Sequence, residues 1–122
     1  MAILTGINKV KTAIFISGNG SNLKSLINFS RSDKSPISIK LIISNNSKAK
    51  GLSYGNIFRI KKKVIKFRNT KIFDNKLISI LKNNQIEMIC LAGFMKILSK
   101  YFIKKFKGKI INIHPSLLPK YK

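Results

Sequence analysis

Near the end of this chain, Asn112 and His114 stand two residues apart in the stretch Lys109-Ile110-Ile111-Asn112-Ile113-His114, and Pro115 follows. The apolar, β-branched character of that stretch reads as a buried strand. Residues i and i+2 of a strand share a face, so the amide and the imidazole project side by side. Pro115 has no N–H for a ladder and ends the strand. An amide donor beside an imidazole can stabilise an oxyanion and move a proton near neutral pH. His114 is the only histidine, and a lone histidine also serves simply to cap a strand. The elements that would position the pair decide between these readings.

Two further segments have the composition of a ligand site. Thr12 to Ile16 reads as a short buried strand that runs into Ser17-Gly18-Asn19-Gly20-Ser21-Asn22. Leu23, Leu26 and Ile27 then recur at helical spacing. Gly and Asn tolerate the positive φ that a tight strand-to-helix turn needs. Free N–H groups and the positive dipole end of the helix meet at such a turn, which makes Gly20, Ser21 and Asn22 a candidate anion site. The pattern is neither a Walker loop nor a dinucleotide fingerprint, and an ordinary strand-to-helix turn accounts for it equally well. The other segment, Gly93-Phe94-Met95-Lys96-Ile97-Leu98, leaves the apolar run Met88 to Ala92.

The intervening chain supplies the scaffold. Ile37 to Ser44 reads as a second strand, followed by Asn45-Asn46-Ser47 as a turn and N-cap. Lys48 to Phe58 is a weak helix interrupted by Gly51 and Gly55, and Lys63 to Phe67 is a third strand. Ile72, Leu77, Ile80 and Leu81 outline an amphipathic helix through Asn83. Met88 to Ala92 is a fourth, central strand. Ser99 caps a short helix carrying Tyr101, Phe102 and Phe106, stopped by Gly108. Strands alternating with helices predict an α/β fold: a doubly wound, mostly parallel, Rossmann-like sheet with right-handed crossovers. Ligands of such sheets sit beyond the carboxyl ends of the strands, so all three segments belong to one rim.

At 122 residues and 44% hydrophobic content the chain is sized for one domain with a real core. No apolar run approaches the roughly 18–20 residues of a membrane span. Cys90, the single cysteine, lies in an apolar run and reads as a small buried hydrophobe. A reducing, cytoplasmic setting follows as the expectation, and no Cys/His cluster has metal-ligand spacing. The charge stands out: 25 Lys+Arg against 3 acids give +22. Nucleic-acid binding is one explanation. Compositional drift is the other, and it is favoured because the cations are nearly all lysine and scattered, with arginine only at positions 31, 59 and 68. Nucleic acid is thus disfavoured as a partner, while small anionic substrates would still be attracted.

Taken together, Ile16-Ser17-Gly18-Asn19-Gly20-Ser21-Asn22-Leu23, Leu91 to Leu98 and Ile111 to Tyr121 (Ile-Asn-Ile-His-Pro-Ser-Leu-Leu-Pro-Lys-Tyr) resemble the phosphoribosylglycinamide formyltransferase family. The resemblance spans about residues 11–122 and leaves 1–10 as an N-terminal extension. It implies formyl transfer from 10-formyltetrahydrofolate to the amine of glycinamide ribonucleotide in purine synthesis, without a metal. It also implies roles. Gly20, Ser21 and Asn22 would hold the substrate phosphate. Met95, Lys96, Ile97 and Leu98 would line the folate pocket. Asn112 and His114 would be the catalytic pair, with Asn112 also near folate and Pro115 near the substrate.

Three departures accompany the resemblance. The family's catalytic Asp would fall beyond Lys122, so the resemblance implies a fold truncated after its fifth strand, with an unprotected edge and exposed apolar surface. None of Asp33, Asp74 and Glu87 is expected at the active rim. Lys96 stands where the family commonly has Arg, and the folate-contacting Arg is shifted or lost around Arg68 to Lys71. The alternatives are a related methionyl-tRNA formyltransferase or formyltetrahydrofolate deformylase, a basic nucleic-acid-binding α/β module, or a non-catalytic fragment. The Ser17 to Asn22 turn fits the ribonucleotide enzyme better than its relatives.

Overall fold

Alternation along the first strand decides the layers. In a computed structural model, which describes residues 9–113, β1 (Val10–Ile16) points Ala13 and Phe15 to one side and Ile14 and Ile16 to the other, and all four are wholly buried. A strand buried on both faces has to lie inside a sheet covered by helices on both sides. Among the described residues the sheet has five strands, all parallel, in the order β3-β2-β1-β4-β5. The other strands are β2 (Ile37–Ser44), β3 (Lys61–Val64), β4 (Met88–Leu91) and β5 (Lys109–Asn112).

Helix α1 (Ser21–Ser30) covers one face, packing Leu23, Leu26 and Ile27 on Ile14, Ile16 and Ile42. Helices α3 (Thr70–Asn83) and α4 (Lys100–Lys105) cover the other, where Phe73, Leu77, Leu81 and Phe102 meet Phe15, Leu41, Ile43 and Ile89. Each fully buried Leu, Ile or Phe contributes roughly 1.5–3 kcal/mol. Ser99 caps α4 as the sequence predicts, accepting from Phe102 N at 3.0 Å, and Asn69, which the sequence reading does not single out, caps α3 by accepting from Ile72 N at 2.9 Å.

Three elements depart from expectation, each for a tertiary reason. β1 begins at Val10, inside the stretch 1–10 that the resemblance leaves as an extension. Val10 N donates to Pro36 O (2.8 Å), and Glu87 holds Lys11 through backbone and carboxylate bonds of 2.8 and 2.9 Å. The third strand is Lys61–Val64, two residues earlier than predicted, and all four of its residues are exposed. It is an edge strand paired to β2 from Leu41 to Ser44, so ladder register rather than hydrophobicity places it. Its lysines blunt the open edge against further pairing. The predicted weak helix divides into a 3-10 turn (Lys50–Leu52) and a short α2 (Ser53–Ile57), because Gly51 is pressed against β1 and the turn after it.

β5 is the opposite edge, with Lys109, Ile111 and Asn112 exposed. Ile103 and Tyr101 on α4 are also half exposed. Cys90 is buried, and burial pushes its thiol up to about 11, as befits an inert core residue. No described helix is long and apolar enough to cross a membrane.

Candidate active site

The strand order creates one natural crevice. The chain steps outward from β1 to β2 to β3, then returns to the far side of β1 for β4 and β5. β1 therefore leads into α1 on one face, whereas its neighbour β4 leads into α4 on the other. Where successive connections part in this way, a groove opens beyond the carboxyl ends of the strands. The segments bordering it are the turn after β1 and the loop after β4, and β5 ends immediately beside the latter.

Gly20, the residue preceding α1, has φ +73°, and among the described residues no side chain caps the helix. The first-turn N–H groups of this ten-residue helix thus face the groove without an intrahelical partner. Backbone packing sets the turn: Gly51 N donates to Gly18 O at 3.0 Å. A Cβ on Gly20 would lie 2.8 Å from Gly51 Cα, so the two backbones touch only because both residues are glycine.

Gly93, at φ +75°, turns the chain out of β4. Phe94 then anchors the loop edge-on against Phe15, with ring centroids 5.2 Å apart. The four predicted pocket residues divide. Met95 and Ile97 project outward, 82% and 87% exposed. Lys96 places its ammonium 3.6 Å above the Phe67 ring, and Leu98 packs inward on the α3 face of the core. Asn112 is the last residue of β5, paired with Leu91 and exposed at the rim. Ser21 and Asn22 open α1, although the Ser21 side chain is outside the description. His114 and Pro115 lie outside the described residues.

Sequence reasoning overlooked the residues that tie these loops together. Ser17 Oγ donates to Asn45 Oδ1 and accepts from Met95 N, both at 2.8 Å, and Asn46 Nδ2 donates to Ser17 O at 3.2 Å. Asn45 and Asn46 follow β2, and the sequence reads them only as a turn and N-cap. Their place at the carboxyl end of β2, the same rim, was the available signal. Asp74 was also misplaced. A helix that follows a parallel strand starts at the carboxyl rim, so the fifth residue of α3 lies at the groove end of the sheet. Asp74 is buried and accepts from Ser99 Oγ at 2.5 Å, at the end of the β4 loop. Asp33, between α1 and β2, and Glu87, at the start of β4, belong to the opposite end as expected.

The groove thus offers an anion-seeking helix terminus on one side, exposed apolar side chains on the other, and an amide at the neighbouring strand end. A second hollow, of about 410 Å³ at the amino-terminal end, is ringed by Lys9, Arg31, Lys40, Arg59 and Lys61. Three of those cations already hold structure. Lys9 donates to Ser30 O and Ser32 O, Arg31 to Phe58 O and Lys61 to Asn84 Oδ1. Among the described residues no group of three His, Cys, Asp or Glu side chains gathers as a metal site.

Residues 10–122 match the Formyl transferase family. The chain is 45% identical over 118 residues to the trifunctional purine biosynthetic protein adenosine-3 of Gallus gallus, covering 94% of this chain and 12% of that protein. It is 41% identical over 114 residues to phosphoribosylglycinamide formyltransferase of Haemophilus influenzae, covering 91% and 54%. The crystal structure of phosphoribosylglycinamide formyltransferase from Brucella melitensis superposes with a TM-score of 0.84 at 36% identity, covering 92% of this chain and 60% of that one. The chain therefore spans only part of each relative's length. Fold, groove and sequence agree on one conclusion: this chain belongs to the formyl transferase family.

Proposed function

We propose that this chain supplies the substrate groove and the Asn-x-His pair of a phosphoribosylglycinamide formyltransferase, passing a formyl group from 10-formyltetrahydrofolate to the amine of glycinamide ribonucleotide. The observation that carries the reading is the uncapped N-terminus of α1 behind Gly20, set across the β1/β4 crevice from the exposed Met95 and Ile97. Gly20, Ser21 and Asn22 hold the ribonucleotide phosphate through backbone N–H groups and the helix dipole. Met95 to Leu98 form the folate side, with Met95 and Ile97 offering contact surface and Leu98 and Lys96 fixing the loop. Pro115 belongs to the substrate side of the site.

In the reaction the acceptor amine forms a bond to the formyl carbon, and the carbonyl oxygen gains negative charge. Asn112 donates its amide N–H to that oxyanion, and protonated His114 stabilises the same charge. As the carbon–nitrogen bond to folate breaks, His114 passes a proton to the departing nitrogen, and the proton lost by the amine restores the imidazolium. The rim suits anionic substrates, because Asp74, its one acid among the described residues, is buried against Ser99.

The test is a formyl-transfer assay on the natural protein that carries this sequence, with glycinamide ribonucleotide as acceptor. Loss of one oxyanion donor in Asn112→Ala lowers kcat by about a hundred- to a thousand-fold. His114→Ala lowers it by at least about a hundred-fold. Absence of transfer by the natural protein, or a His114→Ala variant with an unchanged rate, refutes the reading.

A further inference from the structure

The two sides of the groove come from segments 78 residues apart in sequence, yet one hydroxyl joins them. Ser17 Oγ has a single proton, which it gives to Asn45 Oδ1, and lone pairs, one of which accepts from Met95 N. Asn46 Nδ2 and Gly51 N grip the carbonyls of Ser17 and Gly18 from the β2 side. Met95, 82% exposed, has its backbone N–H tied to the turn after β1 by this bond, while its side chain remains in solvent. A hydroxyl that donates and accepts at once also polarises both bonds in the same sense.

From this we infer that Ser17 is a positioning residue that couples the anion turn to the folate-side loop, so that filling either side stiffens the other and the two substrates bind cooperatively. Linkage makes the effect reciprocal. Ser17 touches neither substrate in this account and acts through Gly18–Asn22 and Met95. The inference rests on the function proposed above, which assigns the two sides their ligands.

The experiment is amide hydrogen exchange on the natural protein carrying this chain, with inorganic phosphate as probe, reading the 18–22 and 93–98 segments in wild type, Ser17→Ala and Ser17→Thr. Without phosphate, Ser17→Ala exchanges the 93–98 segment about five-fold faster, the factor corresponding to one neutral hydrogen bond, and Ser17→Thr restores protection. With phosphate, wild type gains protection in both segments, whereas Ser17→Ala gains it only in 18–22. Equal exchange of 93–98 in wild type and Ser17→Ala, with and without phosphate, overturns the inference and leaves the proposed function standing. Phosphate that protects neither segment of wild type overturns the coupling together with the proposed anion site. If Ser17→Ala does not fold, Asn45→Ala and Asn45→Asp replace it. The alanine variant must free the 93–98 segment and the aspartate variant, which keeps the acceptor, must hold it; equal behaviour of the two overturns the inference.

Discussion

Gly51→Ala is the sharpest test of how the turn after β1 is held. A methyl group at that position would sit 2.6 Å from Ile16 Cδ1, 3.0 Å from Gly20 Cα and 3.2 Å from Gly20 N. Ile16 is wholly buried, so its terminal methyl has no open space to enter. The other two contacts are backbone atoms of the turn itself. Overpacking of this kind costs about 1–3 kcal/mol. Gly51 has no positive φ, so alanine also brings the usual gain of about 0.4–1 kcal/mol from a less flexible unfolded chain. The middle of each range leaves a net loss of about 1.3 kcal/mol, or roughly 5 °C in Tm for a domain of this size. Equilibrium urea unfolding reads it as a lower midpoint at unchanged slope. Gly18→Ala is the matched control: nothing lies within 4 Å of its added methyl and Gly18 has no positive φ, so it shows the unfolded-chain gain alone, about 0.4–1 kcal/mol. A Gly51→Ala protein as stable as wild type, or a Gly18→Ala protein equally damaged, would refute the argument that Gly20 is seated by contact with Gly51.

Two further outcomes test the scaffold around the groove. Ser99→Ala removes the cap of α4 and strips the buried Asp74 of its hydroxyl partner, for a loss of about 2 kcal/mol. Asn69→Ala, an exposed cap with no second partner of that kind, loses only about 1 kcal/mol, and chemical denaturation of the two variants must keep that order. The Cys90 thiol, pushed up by burial from 9.0 to about 11, gives a signed pH dependence. The unfolded chain releases this proton first, so the contribution is full below pH 9 and declines towards pH 11. Cys90→Ala removes that decline, so wild type loses stability relative to the variant as pH rises through that window and not below it. A difference that stays constant across it contradicts the buried thiol.

Much of the architecture was legible because burial leaves a pattern in composition. The carboxyl-terminal parts of β1 and β2 and the whole of β4 are covered on both faces, so Ala13 to Ile16, Leu41 to Ile43 and Met88 to Leu91 are continuous apolar runs that no amphipathic helix would show. The rim followed from topology: glycines after β1 and β4, and Asn112 at the end of β5, had to share one end of a parallel sheet. The third strand was misread because an edge strand faces solvent, and Lys61-Lys62-Lys63 gave no hydrophobic signal for the ladder that holds it. Asp74 was misplaced because its position was judged within the helix rather than from the end of the sheet where that helix begins.

What the linear chain determined by itself was the set of local preferences: where strands bury both faces, where Gly20 and Gly93 permit a left-handed turn, and which residue types could bind an anion or stabilise an oxyanion. These depend on a residue and its near neighbours. Tertiary structure alone decided which of those residues meet. Ser17 is an unremarked serine in a glycine turn until folding brings Asn45 and Met95 to its hydroxyl. Gly51 is a weak point in a helix until it lies against Gly20. Both contacts join segments far apart in sequence. They exist because the packed sheet fixes β1, β2 and β4 in register, and no local propensity encodes that register.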